Sequence, residues 1–252
     1  ERGSASVTAL ADELGVSSMT VRRDVKRLEE EGRLVSVAGG VAKPARLSLD
    51  ATHRVKLGIR PREKAAIARR AAELIRPGDL LYLDAGTTML ALARLLAARP
   101  AAERVDVVTN DLAVAAAVGE HPGAQIHVLG GRLDAGNLST DGPTAAAELA
   151  GFNIDLAFIS ASSFDLRGLS VPTEGKAIVK RSIAEHADRC VLVADSSKYG
   201  RVSTFKALPL RAFDAIVTDP ALPDAVRDRA TAVGVDLLLT PPPDPSHVGE
   251  HP

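Results

Sequence analysis

The segment Asp84–Thr88 carries the residue types of an anion-binding site. It reads Asp-Ala-Gly-Thr-Thr and lies between an apolar run, Leu80–Leu83, and an amphipathic stretch that begins at Met89. The glycine permits close approach of the backbone to a ligand, Thr87 and Thr88 supply hydroxyls, and a helix starting here supplies N–H groups. The sequence therefore predicts a phosphate site at this strand-to-helix junction, although the same residues also suit an ordinary capped helix.

Similar residues recur after other apolar runs. Thr109 and Asn110 follow one run, Gly130 and Gly131 follow the next, and Gly142 precedes a further helix. Each signal is weak by itself, because Asn and Gly are ordinary turn residues. Their recurrence indicates one shared ligand site, since ligands of open α/β sheets bind beyond the carboxyl ends of the strands.

Lysines extend this predicted site. The apolar run Cys190–Ala194 is followed by Asp195-Ser-Ser-Lys198, which would place a carboxylate and an ammonium group at the same edge. Lys176 and Lys180 are four residues apart and therefore share one face of a predicted helix. We predict a role in anion binding for Lys180 and Lys198, and we interpret Lys176 as an ordinary solvated lysine.

A second kind of chemistry is indicated near the N terminus, where the sequence predicts a basic helix. Val21, Val25 and Leu28 share one face of a 3.6-residue helix. A short amphipathic stretch ending at Gly15 precedes it, and two helices joined at a glycine turn form a helix-turn-helix. A solvated charged helix is the plainer interpretation, but the density of cations favours DNA binding. The residues expected to contact DNA are Ser18, Thr20, Arg22, Arg23, Lys26 and Arg27.

The segment Arg33–Ala42 predicts a hairpin directly after this helix. Val35 and Val37 alternate as in a strand, and Gly39-Gly40 suits a tight turn. A two-stranded ribbon in this position is the wing of a winged helix. Because the chain starts at Glu1, without a methionine, we expect the first helix of that domain to precede this numbering.

Beyond residue 60 the chain alternates short apolar runs with amphipathic stretches. This alternation predicts an α/β fold with a largely parallel sheet covered on both faces. The predicted strands are Leu80–Leu83, Val105–Val108, Gln125–Leu129, Leu156–Ile159, Cys190–Ala194, Ala215–Thr218 and Val235–Leu239. The predicted helices are Glu63–Ile75, Met89–Ala98, Leu112–Val118, Thr144–Leu149 and Gly175–Glu185.

The composition excludes several classes of protein. A chain of 252 residues with 46% apolar content can bury a sizeable core, and its net charge of −1 decides nothing about nucleic acid. The single cysteine, Cys190, excludes an intramolecular disulfide and is interpreted as a small buried residue. No signal peptide is recognised and no apolar run approaches the ~20 residues of a membrane span, so we expect a cytoplasmic protein.

Two motif sets resemble those of one family. The segment Val7–Gly40, with its Val-Ser-x-x-Thr-Val-Arg-Arg-Asp core, resembles the N-terminal domain of DeoR-family bacterial transcriptional regulators. The resemblance implies that the larger domain is similar in fold to ribose-5-phosphate isomerase and binds phosphorylated sugars. The chain departs from the family at Ser160–Asp165, where a small glycine-containing turn is common, and these residues would line the sugar end of the pocket. The motifs similar to the family's effector domain are Asp84–Thr88, Thr109-Asn110, Gly130-Gly131, the Lys180 helix and Asp195–Lys198.

These observations predict a transcriptional regulator, most naturally a repressor, whose affinity for operator DNA is controlled by a phosphorylated sugar or polyol. We predict a winged helix-turn-helix domain over residues 1–46, a linker over 47–60, an effector-binding domain over 61–240 and a disordered tail over 241–252. We expect a homodimer or homotetramer and no cofactor, metal or catalytic residue. The residues expected to bind the effector are Asp84, Gly86, Thr87, Thr88, Thr109, Asn110, Gly130, Gly131, Gly142, Ser160, Thr173, Lys180, Asp195 and Lys198.

An enzyme that isomerises sugar phosphates in the same pocket is the alternative. That chemistry needs a carboxylate base, for which Asp84, Asp165 and Glu174 are candidates, but none lies in a recognisable catalytic motif. It also leaves the basic N-terminal region without a use. A kinase is disfavoured because the chain lacks both a G-x-x-x-x-G-K-S/T loop and a G-x-G-x-x-G fingerprint.

Overall fold

The N-terminal part of the chain forms a small helical unit closed by a short sheet. The computed structural model describes residues 4–31, 33–37, 39–47 and 51–241, so most of the tail predicted to be disordered lies outside the described residues. The first elements are β1 (Ser4–Ala5), α1 (Val7–Leu14), α2 (Ser18–Glu30), β2 (Val35–Val37) and β3 (Gly40–Ala42).

Local capping explains why α1 and α2 begin and end where they do. The Ser6 hydroxyl accepts a hydrogen bond from the N–H of Ala9 at 3.0 Å, and the Ser17 hydroxyl accepts one from the N–H of Thr20 at 3.1 Å. Gly15 ends α1 in the left-handed conformation, with φ 65°. The strands β1, β3 and β2 pair antiparallel in that order, so the predicted wing hairpin is present.

The predicted linker contains regular structure of its own. It contains a helix, α3 (His53–Leu57), whose first turn is capped by the Thr52 hydroxyl, and a short strand, β4 (Ala45–Leu47), spans the predicted boundary between the N-terminal domain and the linker. With only five residues, α3 is too short to produce a periodic signal, which is why the sequence did not predict it.

A seven-stranded parallel sheet forms the centre of the larger domain. Its order is β17-β16-β13-β10-β5-β6-β7, and every neighbouring pair is parallel. The fold class predicted from the sequence is therefore confirmed. The seven strands are β5 (Leu80–Leu83), β6 (Val105–Thr109), β7 (Ala124–Val128), β10 (Leu156–Ser160), β13 (Cys190–Val193), β16 (Ala215–Thr218) and β17 (Asp236–Leu239).

Helices cover both faces of this sheet. Alternate residues of one strand belong to opposite layers: Leu81 and Leu83 are buried on one side and Tyr82 on the other. None of the described helices is long and apolar enough to cross a membrane. The helices of this domain are α4 (Pro61–Ala72), α5 (Thr87–Ala97), α6 (Leu112–Val118), α7 (Pro143–Leu149), α8 (Glu174–His186) and α9 (Asp224–Ala232).

Smaller sheets surround the carboxyl edge of the large one. Among them, β14 pairs in parallel with β4, which ties the start of the linker to the larger domain. These strands have three or four residues each and were not predicted, because such short runs carry no clear alternation. They are β8 (Arg132–Asp134), β9 (Ser139–Asp141), β11 (Ser163–Asp165), β12 (Gly168–Val171), β14 (Arg201–Ser203) and β15 (Phe205–Leu208).

Candidate effector site and DNA-binding surface

A single cavity gathers many of the residues that the sequence analysis selected. It lies at the carboxyl ends of β13, β10, β5 and β6, which are neighbours in the sheet. The predicted residues that line it are Asp84, Gly86, Thr87, Thr88, Asn110, Ser160, Lys180 and Lys198. The unpredicted polar residues that line it are His53, Lys56, Lys64, Asn137, Ser139, Ser162 and Lys176.

The carboxylate of Asp84 is hydrogen-bonded and ion-paired with groups of the protein itself. Its Oδ2 accepts hydrogen bonds from the backbone N–H of Ser160 at 2.8 Å and from the Ser160 hydroxyl at 2.9 Å. The same oxygen forms an ion pair with the ammonium group of Lys180, and both side chains are almost fully buried. Lys180 also donates to the carbonyl oxygen of Ser160 at 2.9 Å. Asp84 therefore positions Lys180 and Ser160 in the cavity wall.

The N-terminus of α5 lines the cavity without a side-chain cap. Gly86 stands at the N-cap with no side-chain cap, whereas α6 and α8 are capped by the side chains of Asp111 and Thr173. Gly86 adopts φ 149°, and its N–H donates to Asp111 Oδ2 at 3.0 Å, which fixes the turn. A Cβ at this position would lie 3.4 Å from the Ser160 hydroxyl. The first turn of α5 therefore offers its N–H groups and the Thr87 hydroxyl to the cavity.

Three lysines from different elements crowd this part of the cavity. Lys64, on α4, is 5% exposed and donates to the carbonyl oxygen of Lys56. Burial, together with the nearby ammonium groups of Lys198 and Lys56, lowers the pKa of Lys64 to about 8, against the opposing effect of the Asp195 carboxylate. Among the described residues, Lys198 has no ion-pair partner. A site with this excess of positive charge favours an anionic ligand.

Lys176 also lines the cavity, contrary to its interpretation as an ordinary solvated lysine. Its ammonium group lies 3.4 Å from a carboxylate oxygen of Asp134, and the Lys176 side chain is 15% exposed. Asp134 in turn accepts a hydrogen bond from the Asn137 side chain at 2.9 Å. The four-residue spacing from Lys180 was the signal that pointed to this position.

Some predicted effector residues support the loops around the cavity and do not line it. Thr109 is fully buried, and its hydroxyl donates to the carbonyl oxygen of Leu83 at 2.6 Å. The N–H of Gly130 donates to Glu148 at 2.8 Å. Gly131 has φ 117°, and a Cβ there would meet the carbonyl oxygen of Asp141 at 3.2 Å.

The remaining predicted residues outside the cavity wall lie at the starts of helices or turns. Gly142 is the N-cap of α7, and the Thr173 hydroxyl accepts from the N–H of Lys176 at the start of α8. Asp195 is fully buried and lies 3.2 Å from the guanidinium group of Arg60. These residues shape the site without lining it.

One signal for a missed residue is present in the sequence. Lys64 shares a helix face with Ile67, Ala68 and Ala71, all fully buried, so a charged residue interrupts an apolar stripe. No comparable pattern marks His53 and Lys56, because they belong to the short helix α3.

The carboxylates considered for catalysis are not poised as bases. Asp84 is ion-paired with Lys180. Asp165 is paired with Arg167 and, like the exposed Glu174, is not among the residues that line the cavity. No cluster of three or more His, Cys, Asp or Glu side chains that could hold a metal ion is present in the described part of the chain.

The basic face of α2 is open to solvent. Arg22, Arg23, Lys26 and Arg27 are all exposed, and none forms an ion pair with a described residue. The opposite face of the helix is buried, with Val21 and Val25 packed in a small core with Ala11 and Val41. Ser18 is exposed, whereas Thr20 is partly buried and its hydroxyl lies 3.0 Å from that of Ser17.

The wing contacts the larger domain directly after Lys198, and Glu29 of α2 lies close enough to act electrostatically on the same loop. Val35, in β2, is 3% exposed and belongs to the core of the larger domain together with Tyr199. A Cβ at Gly200 would lie 3.2 Å from a methyl group of Val35. Burial raises the pKa of Tyr199, and the nearby carboxylate of Glu29 on α2 raises it further. One short loop therefore lies between the cavity and the unit that carries the basic helix α2.

Comparison with known proteins identifies the class. Residues 1–46 match the DeoR-like helix-turn-helix domain, and residues 59–220 match the DeoR C-terminal sensor domain. The chain therefore belongs to the DeoR family, as its motifs predicted. It is a DNA-binding transcriptional regulator and not an enzyme, in keeping with the names of its relatives.

Individual relatives are similar over nearly their whole length. The HTH-type transcriptional regulator YgbI of Escherichia coli K12 is 43% identical over 239 residues, which cover 95% of this chain and 92% of that protein. The HTH-type transcriptional repressor GlcR of Bacillus subtilis 168 is 32% identical, over 90% of this chain and 86% of that protein. Among solved structures, ribose 5-phosphate isomerase A from Methanocaldococcus jannaschii aligns with a TM-score of 0.39 and 18% identity, covering 54% of this chain and 53% of that one.

Proposed function

We propose that this protein is a cytoplasmic transcriptional repressor whose affinity for its operator is set by a phosphorylated sugar or polyol. In this proposal residues 1–46 bind DNA, residues 61–240 bind the effector and residues 47–60 join the two domains. A single winged helix contacts few base pairs, so we also propose that the protein acts as a homodimer or homotetramer on repeated half-sites.

The uncapped N-terminus of α5 within a lysine-rich cavity carries the proposal. Five lysines line the cavity, from four different elements, against one lining carboxylate, Asp84, which is already ion-paired. Backbone N–H groups and ammonium groups together are the usual partners of a phosphate dianion. The hydroxyl and amide groups of Ser139, Ser160 and Asn137 supply hydrogen bonds suited to a polyhydroxylated ligand.

Ligand binding measured by calorimetry tests this assignment. The panel contains inorganic phosphate and four phosphate esters, erythrose 4-phosphate, ribose 5-phosphate, glucose 6-phosphate and glycerol 3-phosphate, with each ester tested beside its unphosphorylated parent. We expect at least one phosphorylated compound to bind and its parent not to bind. Thr87→Val removes a hydroxyl at the start of α5 and should lower the affinity by about tenfold, because a hydrogen bond to a charged group is lost.

Thr231→Val, on the exposed face of α9, is the matched control and should bind normally. Equal affinity in the Thr87→Val and Thr231→Val variants would overturn the placement of the phosphate at α5.

Binding to DNA is tested through the exposed cations of α2. The operator is first selected from random-sequence DNA. The double change Arg22→Ala with Arg23→Ala should then weaken the free energy of operator binding by about 1–3 kcal/mol for each of the two side chains that contacts a base. Arg211→Ala, an exposed arginine of the larger domain, serves as the control. An unchanged operator affinity in the double variant at physiological salt would reject α2 as the recognition helix.

A further inference from the structure

The helix α3, which lies in the linker, is bonded to the wall of the cavity at several points. The backbone N–H of His53 donates to the carbonyl oxygen of Gly136 at 2.9 Å, and the Lys56 ammonium donates to Asn137 Oδ1 at 2.9 Å. Lys64 of α4 donates to the carbonyl oxygen of Lys56. The linker helix is therefore part of the cavity wall.

His53 carries a polar atom that the described residues leave unsatisfied. The side chain lines the cavity and is only 7% exposed. Its Nε2 is buried and has no hydrogen-bond partner among the described residues. A buried polar atom without a partner destabilises the folded protein, so such an atom calls for a functional explanation.

The surroundings of His53 are those of the proposed anion site. Burial raises the pKa of the Asp111 carboxylate; the backbone N–H groups that donate to it oppose this effect, and so, to a smaller extent, does the nearby imidazole of His53. Asp111 also accepts a hydrogen bond from the N–H of Gly86, at the start of α5. His53 therefore lies beside the turn that we assign to the phosphate group.

We propose that His53 binds the effector, with its Nε2 hydrogen-bonded to an oxygen atom of the bound sugar phosphate. An imidazole N–H can donate to a phosphate or hydroxyl oxygen, and the ring is already held in the wall by the backbone of α3. This proposal rests on the proposed function. It adds that the effector contacts the linker itself, which continues through β4 towards the wing.

Substitution of His53 separates a ligand contact from a structural role. His53→Phe keeps a ring of similar size but removes both nitrogens, whereas His53→Gln keeps a donor. The ligand is a panel compound that binds the wild-type protein. We expect His53→Phe to lower the affinity for this compound about tenfold and His53→Gln to lower it by less. The thermal stability of ligand-free His53→Phe should not fall, because the unsatisfied atom is gone.

His127→Phe is the matched control, since His127 lies on an exposed strand and packs edge-on against Phe152, a contact that phenylalanine can keep. Its affinity for the compound should equal that of the wild-type protein. A His53→Phe variant that binds as tightly as wild type would overturn the proposal.

Nitrogen NMR of the histidine side chains supplies a test that does not depend on folding of the phenylalanine variant. The chain has 6 histidines, and the His53 signals are those missing from the spectrum of His53→Gln. We expect the compound to shift the His53 signals of the wild-type protein, and unmoved His53 signals at saturation would overturn the proposal. If Thr87→Val lowers affinity while His53→Phe does not, only the present proposal fails. If no panel compound binds the wild-type protein, the proposed function fails and this proposal fails with it.

Discussion

At the residue scale, Asp84 and Lys180 form the buried ion pair on which the shape of the cavity depends. The Asp84 carboxylate holds Lys180 and Ser160 together. The side chain of Asp84 is 3% exposed and that of Lys180 is 7% exposed. The sequence analysis predicted that both residues bind the effector. A carboxylate and a lysine near strand ends could contact either each other or a ligand, and the sequence alone does not distinguish the two arrangements. Only the register of β5 against β10 brings Asp84 to Ser160.

Replacing one partner of this ion pair should destabilise the protein more, per substitution, than replacing both. Asp84→Asn leaves a buried ammonium group unpaired, and Lys180→Met leaves a buried carboxylate, so each should lower the free energy of unfolding by about 3–5 kcal/mol. The free energy of unfolding of the double variant should fall by clearly less than the sum of the two single losses, because no unpaired charge remains. Urea denaturation of the three variants measures this.

The exposed pair Arg70–Glu73 is the control, since both partners retain contact with solvent. Its removal should cost at most about 1 kcal/mol. Strictly additive losses in the Asp84 and Lys180 variants would contradict the buried pair.

The lowered pKa of Lys64 predicts that effector affinity depends on pH. A phosphate dianion binds the protonated amine, which is the main form at pH 7 but not above the pKa of about 8. Affinity should therefore fall as the pH rises, by about tenfold between pH 7 and pH 9 if only the protonated form binds. Lys64→Arg keeps its charge across this range, so its affinity should change much less. Equal pH profiles for the two proteins would rule out titration of Lys64 as the cause.

At the element scale, the long apolar runs were predictable and the short polar ones were not. All seven strands of the main sheet were predicted within one or two residues at each end, because each is a Val-, Leu- or Ile-rich run between turn signals. The strand Ser163–Asp165 and the helix α3 carry no such signal, since their places depend on contacts with distant residues. The linker residues of the site, His53 and Lys56, were missed for this reason.

The wing is the element on which effector control should depend. Gly200 has φ 77° and Gly234 has φ 78°, so alanine at either position should cost a similar ~1–2 kcal/mol of backbone strain. Only at Gly200 would the new methyl group crowd Val35 of the wing, because no described atom lies within 4 Å of a Cβ at Gly234.

We expect Gly200→Ala to change the ratio of operator affinities with and without effector by about 2- to 30-fold, because mutations between coupled sites usually shift the coupling by ~0.5–2 kcal/mol. Gly234→Ala should leave the ratio as in the wild-type protein while losing similar thermal stability. Fluorescence anisotropy with operator DNA gives the ratio for each variant, and identical ratios would exclude the wing contact from the coupling.

At the scale of the whole molecule, the basic helix and the candidate effector site are predictable from charge and residue pattern, but the packing that connects them is not. The basic helix and the strand-end motifs are local features of the sequence, whereas the Tyr199–Gly200 loop packs against Val35 and lies near Glu29, both more than 160 positions earlier in the chain. Such long-range relations leave no periodic trace. The loop that carries Lys198 into the cavity continues into the surface that packs against the wing.

The affinity of the full-length protein for operator DNA, measured by anisotropy with and without saturating sugar phosphate, tests the central claim most directly. We expect the compound to change operator affinity by about 5- to 150-fold, the range typical of coupled sites. Operator DNA should change the affinity for the compound by the same factor, because coupling between binding sites is reciprocal. A compound that binds the cavity, with its affinity lowered by Thr87→Val, yet leaves operator affinity unchanged would contradict the account.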